Sequence, residues 1–413
     1  MPPRPDPATR PRRLLYRGAV LLGGALLAYL SFAVTLANVA ATQAPGLALS
    51  LWPGHAAAEA RMADAIFASN PRRPPVAAAA GHAAAALRRS PTLPAAARIL
   101  ALNAGMQGRE AQSGRLIHYA AAMSKRDIPT QFWLLEERVA ANDVPGALSH
   151  FGIALSVAPG TADVLFPVLT GALSQADLVQ PIAGLVRDGN SWRSDFLYHA
   201  ATNSRDPAAV ASLFLTLNRL GTRPAPAHIQ VLMGRLVEAR NMAAAGRLYG
   251  LIDPRWRRED VNSQIDGRFE RTSDVPPFGW TINPDLAWRG AKSDAPDDVA
   301  LHFTASATGQ GWVAKRQIVL PPGTYGIGGR VRAVDGGATG RLRIGLSCAI
   351  QEIPTSVANF PLRGSGGAFH GTISASGACP AQWLTIIIDS QTSQSPVTFW
   401  VDDLRLESAR PGA

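Results

Sequence analysis

The longest apolar segment of the chain lies close to its N-terminus. No residue from Gly18 to Ala41 is charged. As an α-helix this segment would be about 36 Å long, which exceeds the roughly 30 Å thickness of a bilayer's hydrocarbon core. The pattern therefore predicts a transmembrane helix over residues 14–42.

Positive charge lies on one side of this helix. Residues 1–13 contain four arginines, one acid and several prolines, a composition typical of a disordered tail. Because arginine-rich flanks stay in the cytoplasm, the tail is expected there and the bulk of the chain in the periplasm. The excess of Arg over Lys and the abundant Ala fit a GC-rich bacterial genome, so the predicted location is a bacterial inner membrane.

A cleaved signal peptide is the alternative to a retained anchor. Ala37, Ala40 and Ala41 are small residues of the kind found at cleavage sites. The apolar part of a signal peptide is usually about 7–15 residues long, however, and this segment is longer. Both interpretations place the remaining residues outside the cytoplasm.

Residues 54–254 are predicted to form an all-α domain. Ala and Leu recur there at helical spacing, and turn-forming residues divide the segment into pieces of about 12–17 residues, enough for five or six helical hairpins. The expected boundaries are Asn70-Pro71, Ser90-Pro91, Pro129, Ala158-Pro159-Gly160, Asp206-Pro207 and Asp253-Pro254.

One stretch of this domain resembles a tetratricopeptide repeat. Its residues Leu134, Ala147, Phe151, Ala154 and Pro159 are spaced by 13, 4, 3 and 5 positions. The resemblance implies a stacked array whose concave surface binds a protein partner. The other copies are poor and lack the usual pattern of the first helix, so a compact, irregular helical bundle stays the alternative.

The pattern of apolar and polar residues changes near residue 260. Short segments that alternate apolar and polar residues follow, separated by Gly and Pro; Leu342, Ile344 and Leu346 share one face of such a segment. Strands are expected at 300–304, 313–320, 325–333, 341–348, 368–374, 383–389 and 397–406. This pattern predicts a β-sandwich, and the whole chain an α + β multidomain fold.

Three motifs in this region resemble the jelly-roll carbohydrate-binding modules of the glucan- and xylan-binding type. They are Gly-Arg-Phe-Glu270 with Phe-Gly-Trp280, Leu320-Pro-Pro-Gly-Thr-Tyr325, and Phe399-Trp-Val-Asp-Asp-Leu-Arg-Leu406. Their order and spacing match such a module over residues 262–408. The first motif would be the opening strand of the sandwich and the third its last strand.

The resemblance implies a structural calcium ion. In that family a calcium joins the first and last strands, and the corresponding carboxylates here are Glu270 and Asp402. Calcium takes six to eight oxygen ligands, so backbone carbonyls would complete the site. The alternative is that both side chains are exposed and that Asp402 merely ends a strand.

The resemblance also implies a sugar site with stacked aromatic rings. The candidates are Trp288, Trp312 and Trp383, whereas Trp280 and Trp400 occupy positions expected in the core. For any single Trp, packing in the core is the alternative role. Domains of this shape also bind proteins, so the fold alone does not fix the ligand.

The two cysteines, Cys348 and Cys379, both lie in the predicted sandwich. In an oxidising periplasm they can form a disulfide. Two separate buried thiols are the alternative.

The sequence gives no support for enzymatic activity. Its eight histidines are scattered, and no nucleophile or metal motif is present. The adjacent pairs Asp297-Asp298 and Asp402-Asp403 would diverge on regular strands, unlike the paired carboxylates of a glycosidase. The net charge of +10 is spread thinly, so nucleic acid is not an expected partner.

These features together predict a non-enzymatic, membrane-anchored periplasmic protein. Its helical array would bind a protein partner and its sandwich a polysaccharide, in assembly of the envelope or of an exopolysaccharide. The alternative is a structural assembly factor whose sandwich binds protein and no sugar.

Overall fold

The protein is a multidomain α + β chain, as predicted. The computed structural model describes residues 10–70, 75–188, 191–271, 275–294, 299–305, 309–334, 340–349, 353–362, 366–377, 379–390 and 396–408. Residues 1–9 of the predicted tail, Pro71, and the pair Asp297-Asp298 lie outside these ranges. The chain divides into two compact units, Met1–Ala162 and Asp163–Ala413.

Fifteen α-helices and one 3-10 helix lie within the described residues. The α-helices are α1 Arg10–Gln43, α2 Pro45–Leu51, α3 Ala56–Ala68, α4 Val76–Arg89, α5 Pro94–Met106, α6 Glu110–Met123, α7 Ile128–Ala140, α8 Val144–Val157, α9 Ala162–Ala172, α10 Ala176–Arg187, α11 Arg193–Asn203, α12 Pro207–Arg219, α13 Pro226–Glu238, α14 Met242–Ile252 and α15 Val261–Ile265. The 3-10 helix spans Pro159–Thr161.

Helix α1 carries the long apolar segment. Over Tyr16–Gln43 it has 28 residues and a mean hydropathy of 2.1, and within the described residues it alone is long and apolar enough to cross a membrane. Such a helix is consistent with a single-pass anchor or a signal sequence. Ala33, Ala37 and Ala41 are buried on one of its faces, and Ala41 packs with Ala48 of α2 and Ala58 of α3.

Helices α3–α8 follow α1 and α2 in the first unit, and consecutive helices pack together. The side chain of Arg98 on α5 is buried and joins three helices, because its guanidinium lies 2.7 Å from Asp64 of α3 and 2.8 Å from Asp127 at the start of α7. Opposite charge at hydrogen-bonding distance offsets the cost of burying this cation.

The tetratricopeptide-like stretch falls on the hairpin of α7 and α8. Leu134 of α7 and Phe151 of α8 are buried, and Asn142-Asp143 forms the turn between the helices. Asn142 has a φ of 55°, and the Asp143 carboxylate caps α8 by accepting a hydrogen bond of 3.0 Å from the Gly146 amide. These positions fit the expected hairpin, while the identity of the repeat stays a prediction.

The second unit begins with helices α9–α14. The short helix α15 follows them and precedes the first strand of the sandwich. In this group α10 packs on α12, α11 on α13 and α12 on α14. Rings of Tyr249, Trp256 and Phe278 then form a buried cluster with centroids 5.4–5.9 Å apart. The buried pair Asp253 and Arg271 lies beside this cluster, with 2.7 Å between carboxylate and guanidinium.

The predicted β-sandwich is present, and within the described residues it consists of two antiparallel five-stranded sheets. The order in sheet A is β1-β4-β9-β6-β7, and in sheet B it is β2-β3-β10-β5-β8. The strands are β1 Thr281–Ile282, β2 Trp288–Asp294, β3 Val299–Ala305, β4 Gln310–Ile318, β5 Gly323–Ala333, β6 Gly340–Cys348, β7 Ser356–Leu362, β8 Gly367–Ala375, β9 Gln382–Asp389 and β10 Val397–Ser408.

The core lies between the two sheets. Alternate residues of each strand fill it, including Leu342, Ile344 and Leu346 of β6 on the face that their alternation predicted. Trp280 is also buried there, as expected.

The expectation for Trp400 was wrong. Its neighbours Phe399 and Val401 point into the core, so Trp400 lies on the opposite face of β10, where its ring is 4.7 Å from the ring of His302. A strand exposes successive side chains on opposite faces, and the register of β10 assigns Trp400 to the outside.

The predicted opening strand is also absent from the described residues. Residues 267–270 form a turn, because Asp266 and Phe269 have φ values of 48° and 56°, which interrupt extended backbone. The segment still reaches the last strand, since the Leu404 amide donates a hydrogen bond of 3.0 Å to the Gly267 carbonyl. A Cβ at Gly267 would lie 1.8 Å from the Leu404 carbonyl oxygen, so only glycine fits this approach.

Candidate functional site

The outer face of sheet A carries a cleft of about 740 Å³. Strands β4, β9, β6 and β7 form its floor, and the segments that flank β6 and β7 form one wall. Its lining residues are Gln310, Gly311, Trp312, Lys315, Arg343, Ser347, Ala349, Ile353, Pro354, Val357, Trp383, Thr385 and Ile387.

The register of the strands arranges these side chains in rows across the sheet. In one row Trp312 of β4 lies opposite Ile387 of β9, which lies opposite Arg343 of β6. In a neighbouring row Lys315 lies opposite Thr385. Side chains in such rows share one face of the sheet, so they converge on a single ligand.

A β-bulge at Val313 brings Trp312 and Lys315 to the same face. Three positions apart on a regular strand, their side chains would point to opposite faces. The register shifts between Trp312 and Ala314, because these residues lie opposite the adjacent residues Ile387 and Ile386. The extra residue returns Lys315 to the outer face beside Trp312.

Asn283, which follows β1, holds this bulge in place. Its side-chain amide donates a hydrogen bond of 2.7 Å to the Trp312 carbonyl, and its backbone amide donates one of 2.9 Å to the Val313 carbonyl. Gly290 of β2 closes the other side of the bulge, where an added Cβ would lie 2.5 Å from the Val313 carbonyl oxygen. These contacts fix the carbonyls that the bulge removes from regular pairing.

Lys315 lies between two of the predicted tryptophans. Its Nζ is 4.8 Å from the ring centroid of Trp312 and 5.2 Å from that of Trp383. The two rings are therefore within about 10 Å of each other, with one ammonium in contact with both. Half-buried rings on a common face offer apolar platforms for a ligand longer than a single ring.

Arg343 holds the other cationic position in the cleft. Its Nε donates a hydrogen bond of 3.1 Å to the Asn359 side chain, and its Nη1 donates one to the Gln310 side chain. These two neutral amides fix the plane of the guanidinium and leave its remaining donors available. Beside it Gly345 makes room for Pro354, since an added Cβ would lie 2.9 Å from the Pro354 side chain.

The structure joins Cys348 and Cys379 in a disulfide, with Cα atoms 5.6 Å apart. Cys348 ends β6 directly after Ser347 of the cleft, and Cys379 precedes β9 and its Trp383. The buried Gln382 side chain supports the same corner by accepting a hydrogen bond of 2.9 Å from the Leu320 amide. The bond therefore braces the end of the cleft that carries Trp383.

Trp288, the third predicted sugar-binding tryptophan, lies elsewhere. It is partly buried against the core of the sandwich. Its ring lies over Gly311 of β4, where an added Cβ would be 2.2 Å from the indole. It is not one of the cleft residues, so its position fits the alternative of packing in the core.

Glu270 and Asp402, the predicted calcium ligands, lie among arginines. Arg268 is 3.1 Å from Glu270 and 4.0 Å from Asp403, while Arg330 is 3.3 Å from Asp402 and 2.7 Å from Asp403. Within the described residues, no group of three or more His, Cys, Asp or Glu side chains is placed to hold a metal ion. Guanidinium groups at this distance repel a divalent cation, so the arrangement does not fit calcium.

The expectation that Asp402 and Asp403 diverge was wrong. Asp403 has a φ of 51° at a bulge in β10, which turns its side chain toward the same guanidinium of Arg330 that Asp402 contacts. The sequence carries only a weak signal for this bulge: Asp tolerates positive φ better than most non-glycine residues, but no glycine marks the position.

The sandwich is similar to carbohydrate-binding modules of known structure. A CBM4 module matches over 35% of this chain and 99% of its own, at 15% identity and a TM-score of 0.27. The CBM22-1 xylan-binding domain of Paenibacillus barcinonensis Xyn10C matches over 35% and 94%, at 14% identity and a TM-score of 0.24. TmCBM61 in complex with β-1,4-galactotriose matches over 35% and 97%, at 14% identity and a TM-score of 0.25.

No protein-family model and no curated protein matches the chain. At these identities and TM-scores the structural likeness does not identify a ligand. The function is therefore inferred from the residues of the cleft.

Proposed function

We propose that the sandwich binds a polysaccharide in the cleft on the outer face of sheet A. One observation carries this proposal: Trp312 and Trp383 line the same open cleft, with the Lys315 ammonium 4.8 Å and 5.2 Å from their ring centroids. Sugar rings stack on indole faces, and the half-buried Thr385 hydroxyl and the free amino group of the Gln310 amide lie in the same cleft for their hydroxyl groups.

The proposed role is binding without catalysis. A glycosidase uses two carboxylic acids about 5–10 Å apart, one as acid and the other as base or nucleophile. The described lining of the cleft contains no Asp, Glu or His. The cleft thus has the aromatic platforms of a binding site and lacks, in its described part, the acid–base pair of this reaction class.

In the wider proposal, α1 is a retained inner-membrane anchor and the helical array binds a protein partner in the periplasm. Val164 and Val168 support a contact surface on α9, because they lie one turn apart and are 64% and 54% exposed. The proposed role of the whole chain is to link a polysaccharide to a membrane-bound assembly. The mass of the purified protein tests the anchor, and loss of residues up to about Ala41 would contradict it.

Affinity electrophoresis of the full-length chain in detergent tests glycan binding. The gel would contain a polysaccharide from the envelope of the source cell, and the protein should be retarded. We expect W312A and W383A each to weaken binding at least about tenfold, the usual cost of removing a central aromatic contact. W400A is the matched control, since Trp400 is a half-buried tryptophan outside the core on sheet B.

Loss of retardation in W400A but not in W312A or W383A would place the site elsewhere. No retardation with any envelope glycan would overturn glycan binding. The alternative, a structural assembly factor whose sandwich binds protein, would then take its place.

A further inference from the structure

The cleft on sheet A carries an unbalanced positive charge. Lys315 and Arg343 are its only charged residues within the described lining. Lys315 contacts the two tryptophan rings, and Arg343 contacts two neutral amides. Neither cation lies within ion-pair distance of a carboxylate of the described residues.

The nearest acid along these strands already faces a cation of its own. Asp389 of β9 lies opposite Arg341 of β6 in the row beyond Arg343. Arg341 and Asp389 line a smaller adjoining cavity that also includes Arg343. With these two residues included, the described charged groups of this region still carry two net positive charges. Glu352, which precedes Ile353, lies outside the described residues.

The outer groove of sheet B provides an internal comparison. It has a volume of about 390 Å³ and a floor of glycines from β5. Its two arginines, Arg330 and Arg405, are accompanied by the acids Asp403 and Glu407. Arg330 lies 2.7 Å from Asp403, so cations there are offset by neighbouring carboxylates. Of these two grooves, the aromatic cleft is the one whose described lining carries a positive excess.

We infer that the ligand of the aromatic cleft is an acidic polysaccharide, with anionic groups such as carboxylate, sulfate or phosphate on its sugar units. This inference rests on the proposed function and names its ligand class. A sugar unit stacked on either indole would place a substituent beside the Lys315 ammonium. The fixed guanidinium plane of Arg343 would receive a second anionic group through its remaining donors.

The arrangement divides affinity between two kinds of contact. Stacking on Trp312 and Trp383 depends on the sugar ring and changes little with salt. Attraction to Lys315 and Arg343 depends on the charge of the polymer and weakens as salt shortens the screening length from about 10 Å at 0.1 M to about 3 Å at 1 M. A neutral glycan would use the first kind of contact alone.

Affinity electrophoresis with polymers that differ only in charge tests the inference. The full-length chain would be run against polygalacturonate and its methyl-esterified form, and against dextran sulfate and dextran. In at least one of the two pairs, we expect the charged polymer to bind at least about tenfold more tightly than its neutral counterpart. Most of this difference should disappear at high salt. The pair that responds identifies carboxylate or sulfate as the preferred group.

Three sets of variants separate the contributions. The double variant K315Q/R343Q should lose the preference for the charged polymer and keep the weaker binding to the neutral one. W312A and W383A should weaken binding to both polymers. R330Q/R405Q, in the groove of sheet B, also removes two positive charges, so it is the charge-matched control and should bind like the unaltered chain.

The outcomes distinguish failure of the inference from failure of the proposed function. Equal, tryptophan-dependent binding of charged and neutral polymers would overturn the acidic ligand and keep glycan binding. A charge preference that survives K315Q/R343Q would also overturn the inference, and its loss in R330Q/R405Q would place the acidic ligand in the groove of sheet B. Binding that ignores both tryptophan variants, or no binding to any polymer, would overturn the proposed function.

Discussion

The side-chain amide of Asn283 donates a hydrogen bond of 2.7 Å to the backbone carbonyl of Trp312. This contact makes Asn283 a positioning residue for the cleft, although its own side chain is not in the lining. We expect N283A to weaken glycan binding and to lower the free energy of unfolding by about 1–3 kcal/mol, because a part-buried carbonyl loses its partner.

Affinity electrophoresis and chemical denaturation measure the two effects of N283A. N218A is a suitable control, since Asn218 is exposed on α12. Unchanged binding in a folded N283A protein would show that the bulge keeps Trp312 in place without the Asn283 side chain.

The disulfide gives a second prediction. The double variant C348S/C379S removes a bond across 31 residues. The chain-entropy estimate for a loop of this size is about 3–4 kcal/mol of lost stability. Thermal unfolding with and without reductant measures the change, and the reductant should have no effect on the variant.

Labelling of thiols under denaturing, non-reducing conditions tests the bond directly. No labelled cysteine is expected in protein purified from an oxidising compartment. Two labelled thiols per chain would contradict the disulfide.

A third prediction concerns the arginines around Glu270 and Asp402. Because guanidinium groups already neutralise these carboxylates, we expect a chelator to leave the unfolding temperature of the full-length chain unchanged. R268Q and R330Q should each lower stability by less than about 1 kcal/mol, as is usual for exposed ion pairs. A clear drop in melting temperature with chelator, reversed by calcium, would instead support the calcium site.

The buried pair of Asp253 and Arg271 gives a fourth prediction. D253N removes one charge from a pair in which both side chains are at most 8% exposed. Breaking a buried pair from one side typically costs about 3–5 kcal/mol, because the remaining charge stays desolvated. We expect the lower end of this range, since the buried Asp266 carboxylate, 3.7 Å from the Arg271 guanidinium, still offsets part of its charge. Denaturant unfolding measures this loss, and D188N on the exposed pair with Arg187 should change stability by less than about 1 kcal/mol. Equal effects of the two variants would contradict a buried role for Asp253.

Much of the fold could be predicted because its signals are local. Asp206-Pro207 predicted a helix start, and the Asp206 carboxylate does cap α12 through the Ala208 and Ala209 amides. The alternation along β6 predicted the face that Leu342 turns to the core. Both the helix cap and the alternation involve residues that are close in the sequence, so they can be predicted without the tertiary contacts.

Strands β2 and β7 were not predicted, for different reasons. Strand β2 contains Arg289, Gly290 and Lys292, which are unusual in a strand core. Strand β7 alternates buried and exposed residues but contains Pro361, which argues against a strand. Both strands lie at the edges of their sheets, where one side needs no hydrogen-bonded neighbour and proline is tolerated. Their strand conformation depends on pairing with β3 and β6, which local propensity does not encode.

The candidate site was predictable in part. The sequence predicted Trp312, Trp383 and Trp288 as sugar-binding residues because each is a tryptophan. Residue type does not show whether a ring lies in an open cleft or against the core. The register of the strands determines that, and it places only Trp312 and Trp383 in the cleft. The alternation of Leu342, Ile344 and Leu346 implies that Arg343 lies on the other face of β6. Its place in one row with Trp312, however, depends on Ile387 of an intervening strand, more than forty positions along the chain.

The position of β10 in sheet B has a consequence for biogenesis. The last strand of the chain lies between β3 and β5, in the middle of its sheet, and its Leu406 amide also bonds to the Asn262 side chain at 3.0 Å. Synthesis delivers this strand after the other described strands, so sheet B stays divided until β10 has been made. Products that end before β10 would therefore expose two incomplete half-sheets to proteases.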